Sequence, residues 1–534
     1  MLPINRITAV ILLAFWASGV MGRVIQVPQE APTIQAGLDS LADGDTVRVA
    51  RGTYEELLIA PPLTFTLIGD FEPDSGEMAR PFVYAVPVAE ADTSCILALP
   101  PFSRPTLQNV RFQNGPYPGA PAHVRNGIQS WTDSLVLRNC VIDSTPLSIF
   151  QEDISLGAIY ILDSCQFRGC PTSGVQPRAG GRILANDCLF TGPGIETATL
   201  ASGDDFSVVE RCVFQDVEQG MFLALSGTGN RVSGCVFGPY GPSLQSPVSH
   251  DEFGGDFTNN WFSHCEYGVA ALNLRVLEND SAIVEGNLFE QCVGTQFPQS
   301  NGAIFLDGGD TVDATSVTRV AGNVFVGNSG SVNANHLYVW RGEAQITFNR
   351  FLPDSSNGLP ALAVDTTGWW APWDSVLARD NIFQDCGYAA AGPARLDARH
   401  NWWGDEGGPY HALYNPDARG DSLTGELQFI PWHTDTSFAS SCSERPLLPD
   451  KCDISLHPNP FNYSITLVIT GFARDDFEIG LYNTLGQIVD VVHRGALTGG
   501  QLHYQAPPRL ASGVYLLSAH DKQSVQTKKV ILLK

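Results

Sequence analysis

Apolar residues along this chain come in runs of three to five, broken by Gly, Pro, Asn and Asp, which suits short strands joined by turns and not amphipathic helices. A shorter unit recurs on top of this pattern: Asn or Cys, any residue, then an aromatic, often with Cys or Asn three positions further on. It is found at Cys165 and Phe167 (with Cys170), Cys188 and Phe190, Cys212 and Phe214, Cys235 and Phe237, and Asn260 and Phe262 (with Cys265). It continues at Asn287 and Phe289 (with Cys292), Asn323 and Phe325 (with Asn328), Asn349 and Phe351, Asn381 and Phe383 (with Cys386), and Asn401 and Trp403. The steps are 23, 24, 23, 25, 27, 36, 26, 32 and 20 residues, a loose period in the range where one repeat is one structural coil. Gly127, Gly174, Gly194, Gly220, Gly268 and Gly302, each followed by an apolar residue, open a second strand in many coils. The pattern predicts a stacked solenoid. At ~4.8 Å between neighbouring strands, about fifteen coils make a rod on the order of 70 Å long.

Both ends of the chain depart from the repeat. Near the start, Thr33 is placed to cap a short helix whose Ile34, Leu38 and Leu41 share one apolar face. Gly44 and Asp45 then turn the chain into strands over 46–50, 57–59 and 64–68. A helix laid over the first coil covers the edge that a stack of parallel strands leaves open. At the far end, residues 453–534 carry about seven short apolar segments between turns, which predicts a separate small β-sandwich.

Composition sharpens this division. Lysine is absent from residues 1–450, and all five lysines (Lys451, Lys522, Lys528, Lys529, Lys534) lie beyond, so a domain boundary falls near that shift. Residues 1–22 read as a secretory signal peptide, with Arg6, an apolar run over 7–16 and small residues toward Val20 and Gly22. No later segment is apolar for long enough to span a membrane. The predicted organisation is a signal peptide over 1–22, a rod over 23–435, a Pro-rich linker over 436–452 and the C-terminal domain over 453–534. A formal charge of -25 argues against nucleic acid and anionic lipid as partners, and calcium fits it better.

Twelve cysteines in an exported chain would ordinarily be read as disulfides. Here Cys140, Cys165, Cys188, Cys212 and Cys235 share one column of successive coils, so they are expected to stack as buried thiols. Cys442 and Cys452, which flank the linker, are placed to pair with each other.

Two motifs resemble known families. The helix, Gly44-Asp45 and Gly52-Thr53-Tyr54-x-Glu56 resemble the start of right-handed parallel β-helix proteins of the pectin-lyase-like superfamily. Asn401-Trp402-Trp403-Gly404-Asp405, followed by Gly408-Pro409, is similar to a motif near the last coils of that group. The resemblance covers roughly residues 24–435 and implies an all-β fold, a right-handed parallel β-helix with a short capping helix, but no one activity. The C-terminal unit, with HPNPFN from His457, LYNTLGQIV from Leu481, SGVYLL from Ser512 and KKVILLK ending at Lys534, resembles the type A sorting domain of type IX secretion cargo. That likeness implies the type IX machinery as a partner and a cell-surface or extracellular destination.

Enzymes of the β-helix group mostly cleave acidic polysaccharides in a groove along the rod. Asp204-Asp205 after Gly203 resembles the double Asp of polygalacturonase-like hydrolases, which need paired carboxylates, but the accompanying Gly-His-Gly and Arg-x-Lys motifs are missing and an ordinary polar turn explains the pair. The Arg-x-Pro-x-x-Arg of the lyases is also missing, and a rod without lysine has no lysine base. Asp307, Asp310 and Asp313 lie in the longest coil at a spacing that suits calcium, against the simpler reading of a solvated acidic loop. Trp369, Trp370 and Trp373 crowd another enlarged coil, where they either stack on sugar or pack the loop onto the rod. His264, His336 and His400 have no partners at metal spacing and are expected at turns or on the surface. Two functions stay open: an exported β-helix that binds a polysaccharide or cell-surface glycan, or a polysaccharide lyase or glycoside hydrolase acting on acidic glycans.

Overall fold

In a computed structural model the described residues are 22–72, 80–84, 95–114, 126–145, 147–151, 158–169, 173–176, 181–192, 198–202, 206–216, 221–241, 245–251, 254–276, 281–294, 301–308, 317–354, 357–365, 375–438, 453–457, 461, 463–470, 477–483, 487–495, 501–520 and 525–532. Residues 1–21 of the signal segment and the Cys442/Cys452 pair lie outside them.

Three long parallel sheets run the length of the rod, as the repeat requires. Sheet 1 has 15 strands from Val24–Val27 to Leu396–Asp397, and sheet 2 has 13 from Thr53–Glu55 to Ile382–Phe383. Sheet 3 has 15, beginning with Leu58–Ile59 and closing with Gly420–Gly425 and Pro409–Tyr410. Within each sheet a strand pairs with its counterpart one coil earlier and one coil later, so the chain is a parallel β-helix with a triangular cross-section.

The corner from sheet 1 to sheet 2 keeps this stacking in register. It consists of one residue in the left-handed region, such as Ser164 (φ 56°), Asp187 (φ 53°) or Asn259 (φ 54°), and then one member of the Cys/Asn column. Each column residue also offers its carbonyl to the next coil: Gln166 N donates to Cys140 O at 2.9 Å, and Leu288 N donates to Asn260 O at 2.9 Å. From Asn260 onward the side chains form a ladder. The Asn287 Oδ1 accepts from the Asn260 N (2.8 Å) and Nδ2 (3.0 Å), while the Asn287 Nδ2 donates to Phe257 O (2.8 Å) and to Asn323 Oδ1 (2.9 Å). The same pattern repeats through Asn323, Asn349 and Asn381 to Asn401. In the earlier coils the thiols do this work more weakly: Cys165 Sγ donates to Asp163 O at 3.3 Å and faces the Cys140 amide. Burial pushes these thiols upward in pKa, so they stay protonated.

Two positions after each column residue, the aromatic points inward. Phe167, Phe190, Phe214, Phe237, Phe262, Phe289, Phe325, Phe351, Phe383 and Trp403 form one continuous stack with ring centroids 4.6–5.1 Å apart, which is the strand spacing. A second corner, between sheets 2 and 3, carries Cys265, Cys292, Asn328 and Cys386, each again after a left-handed residue.

The helix α1 (Ile34–Asp39) closes the first coil with Ile34 and Leu38 buried. The Thr33 side chain accepts from the Ala36 N at 3.1 Å, and the Glu56 carboxylate accepts from the amides of Ile34 (3.0 Å) and Gln35 (2.9 Å). The Gly-x-Tyr-x-Glu motif is therefore a cap: Glu56 satisfies helix amides that would otherwise be orphaned, and Tyr54 donates to Ala50 O at 2.9 Å. The C-terminal unit is built of seven antiparallel strands from Asp453–His457 to Val525–Leu532, in sheets of three and four, around Ile465, Leu467, Ile479, Leu481 and Leu517. Among the described residues no helix is long and apolar enough to cross a membrane.

Replacing Asn323 by Ala deletes an acceptor and leaves buried Asn287 donors unmatched, so a loss of about 2–4 kcal/mol in denaturant unfolding is expected. Asn323→Cys is expected to cost less, because a thiol still accepts from the neighbouring amide. Equal losses for the two variants would show that the ladder bonds add nothing beyond side-chain volume.

Candidate functional site

From Arg104 to Phe383 the corner between sheets 1 and 2 is two residues long in every coil, whereas residues 70–81 lengthen it near the start, so along that stretch variation in chain length falls at the other two corners. Residues 114–125 join sheet 2 to sheet 3, while residues 308–316 and 365–375 join sheet 3 to sheet 1. Both of these corners border sheet 3. Its outer face is therefore the strip of rod flanked on each side by insertions, where a solenoid places recognition.

Period-two alternation decides what that face displays. Leu272, Leu274, Ile304, Leu306, Leu337, Val339, Leu362 and Val364 point into the core, so the residues between them point out. Along the rod axis the outward positions run Ser249, Asn273, Phe305, Tyr338, Ala363 in direct register. A parallel column holds Arg275, Asp307 and Arg341. The register shifts between Leu306 and Asp307, and the extra residue on the partner strand is Trp340. Phe305 lies 5.9 Å from Tyr338 and 6.1 Å from Trp340 between ring centroids, and the three make an aromatic ledge with Ala334 and Ala363 packed against it.

A charged cluster borders this ledge. Arg341 donates from Nε to Asp307 Oδ1 at 3.0 Å and from Nη2 to Asp307 Oδ2 at 3.0 Å, a two-pronged pair in which both residues are buried. The Arg341 guanidinium carbon sits 4.0 Å from the Trp340 ring centre. Arg275 is exposed, with its Nε 3.6 Å from Asp307 Oδ2. On the other side, burial raises the Tyr338 pKa, and the Asp365 carboxylate, which accepts the phenol hydrogen bond, raises it further.

These surroundings decide what the groups can do. A general base needs a free lone pair and a suitable pKa; Tyr338 is held protonated, and both Asp307 oxygens are engaged by guanidinium. Among the described residues the face carries the half-buried rings of Phe305 and Trp340 and the exposed cation of Arg275, groups that suit recognition. Among the described residues no three metal-ligating side chains converge.

Of the residues singled out in the sequence, only Asp307 falls on this face within the described residues, and there it is an arginine-bound carboxylate. Asp310 and Asp313, which follow it, and Trp369, Trp370 and Trp373, which follow Asp365, lie outside the described residues, as do Asp204 and Asp205. Phe305, Tyr338, Trp340 and Arg341 were missed. The alternation in IFLD and LYVWR carried the signal, but reading it requires knowing which strand faces which side. His264 and His400 occupy left-handed corner positions, as expected. His336 does not: it is wholly buried, because its ring nitrogens find partners inside the rod at Asn328 and Leu352.

Removing Arg341 would leave the buried Asp307 charge to the longer 3.6 Å contact with exposed Arg275, so Arg341→Ala is expected to cost about 3 kcal/mol in rod stability. Replacing both members of the pair by apolar residues of similar volume is expected to restore most of it. A melting curve for Arg341→Ala that matches the native one would show the pair to be solvent-exposed in solution.

Residues 455–533 match the family of secretion system C-terminal sorting domains. No curated protein sequence matches the chain at a significant level. Among solved structures, a mutant tailspike protein of E. coli bacteriophage HK620 is similar at 10% identity and a TM-score of 0.30, covering 93% of this chain and 88% of that one. Two tailspike mutants of the same phage in complex with pentasaccharide are similar at 9% and 10% identity with TM-scores of 0.20 and 0.19, each covering 93% of this chain and 88% of that one. The β-helix assignment rests on the parallel-sheet topology of this chain itself.

Proposed function

We propose that this protein is an exported β-helix that binds a polysaccharide or cell-surface glycan on the outer face of sheet 3. One observation supports the reading above others: Phe305, Tyr338 and Trp340 stand side by side on neighbouring strands, between the two corners that carry the insertions. Aromatic faces stack on the apolar faces of sugar rings, and the polar groups alongside orient the hydroxyls. The segments carrying Asp310 and Asp313 and Trp369, Trp370 and Trp373 follow, in sequence, the strands Ile304–Asp307 and Leu362–Val364 of this face, so in this reading they extend it, the tryptophans by stacking and the aspartates by binding calcium. The C-terminal domain serves as a type A signal for the type IX machinery, which carries the rod to the cell surface or beyond after the signal peptide is removed.

The second reading is a lyase or hydrolase of acidic glycans. It is favoured by Arg275 and Arg341 beside Asp307, since arginine can neutralise a uronate carboxylate. The absence of an available base among the described groups of this face weighs for binding.

Phe305→Ala and Trp340→Ala are each expected to weaken retention on the cognate glycan by about 1 kcal/mol or more. Replacing Trp369, Trp370 and Trp373 together is expected to abolish retention with little change in melting. The wild-type rod, incubated with calcium and pectic, alginate or glycosaminoglycan substrates, should release neither unsaturated products nor new reducing ends. Release that disappears on mutating Asp307 or Arg275 would establish the enzyme reading instead.

Deleting residues 453–534 is expected to leave a folded rod confined to the periplasm, as measured by fractionation. Normal surface display of the truncated protein would remove the export role of the domain.

A further inference from the structure

In the last coils the corner between sheets 2 and 3 is filled with polar groups, sealed from solvent. His336 donates from Nε2 to Leu352 O at 3.0 Å, and since that carbonyl only accepts, Nδ1 is the acceptor for the Asn328 amide at 3.1 Å. The ring is thereby neutral and satisfied. Asp354 Oδ2 lies 3.7 Å from His336 Nε2, its side chain is 3% exposed, and among the described residues this oxygen meets no hydrogen-bond partner.

Among the described residues the groups that act on Asp354 from the surrounding elements bring no positive charge. Asn335 supplies a hydrogen bond, and Asp421 two coils on adds repulsion. The Asp421 oxygens are taken up by the amides of Cys386 (3.1 Å) and Gly387 (2.8 Å). Cys386 itself donates to Phe351 O at 3.3 Å and is held protonated by burial, with Asp421, Asp354 and Asp385 as the neighbouring charges. Burying an uncompensated carboxylate is so costly that the group takes up a proton instead.

The location gives this proton a consequence. His336 directly precedes the strand Leu337–Arg341, which carries Tyr338 and Trp340, and Ala361 directly precedes the strand Leu362–Val364, which leads to Asp365. Three bonds tie the two segments: Asn335 N to Pro360 O (2.8 Å), His336 N to Ala361 O (3.1 Å) and Leu337 N to Ala361 O (3.0 Å). We propose that Asp354 is a proton-operated latch: with its carboxyl protonated the corner seals, and on ionisation the corner loosens and releases the strands of the aromatic ledge. The latch stands on the geometry alone; its effect on glycan retention rests on the binding reading above.

The direction follows from the two buried groups. Burial raises the Asp354 carboxyl from its ordinary 3.8 to about 7, so its contribution to stability is full at low pH and is lost as pH rises toward about 7. Burial lowers His336 from 6.5 to about 4, so its contribution is present above 6.5 and is lost as pH falls toward about 4. The two oppose each other between about pH 4 and pH 6.5, so the net loosening falls between about pH 6.5 and about pH 7.

Native-state hydrogen exchange of the Asn335, His336 and Leu337 amides in the full chain, corrected for the intrinsic pH dependence of exchange, tests the latch. The opening constant of the wild type relative to Asp354→Asn is expected to rise about tenfold per pH unit from about pH 4 to about pH 7 and then level off. A ratio that does not change with pH would overturn the proposal. So would calcium that suppresses wild-type opening at pH 8, since a cation and not a proton would then hold the carboxylate. Should Asp354→Asn fail to fold, the wild type alone decides: these amides must loosen between pH 6 and pH 8 while those of Cys165 and Cys188 do not, and uniform change would overturn the latch. Loss of glycan retention above neutrality together with loosening supports the coupling. Loosening without any glycan binding at any pH would leave the latch standing and remove the binding reading.

Discussion

The fold depends on the two-residue corner between sheets 1 and 2. A parallel stack has no hairpins to fix its register, and a slip of one residue would turn every core side chain outward. The corner prevents this locally in each coil: a left-handed residue bends the chain, and the next residue is bound to its counterparts above and below. Because Asn presents both an acceptor and a donor, the ladder from Asn260 to Asn401 is continuous, while the thiols of the earlier coils provide a softer version of the same contact. The aromatic stack follows from it, since residues two positions past a fixed corner are held one strand spacing apart.

Fixing one corner frees the others. Insertions at the two remaining corners disturb neither the ladder nor the stack, so recognition surfaces can vary while the rod stays constant. Sheet 3 lies between those corners and carries the aromatic ledge. The buried Asp307–Arg341 pair has the same logic on a smaller scale, holding the bulged strand in place so that Trp340 can join the ledge.

The polar interior of the last coils contrasts with the hydrocarbon and thiol interior of the first. A buried carboxylate in one coil of a solenoid, whose neighbours above and below are separate repeats, destabilises a part of the structure that can open without unfolding the rest. Local opening of this kind is available to a stacked molecule and not to a globular core.

The sequence by itself determined the solenoid, the Cys/Asn column, the aromatic stack, the capping helix and the seven-stranded tail. Each of these is a local pattern repeated at a fixed spacing, so the pattern and the contact coincide, as Cys165 with Cys188 and Phe262 with Phe289 show. Only the tertiary structure decided which sheet carries the aromatic ledge, because that depends on where insertions of unequal length fall relative to a three-sided cross-section. It also decided that Asp307 is bound by Arg341, 34 residues away, and that His336 is buried beside Asp354. The physical reason is that a side chain's partners in a solenoid lie one coil away, across loops whose lengths vary, so a charged residue's neighbours are set by coil register and not by its own surroundings in the chain.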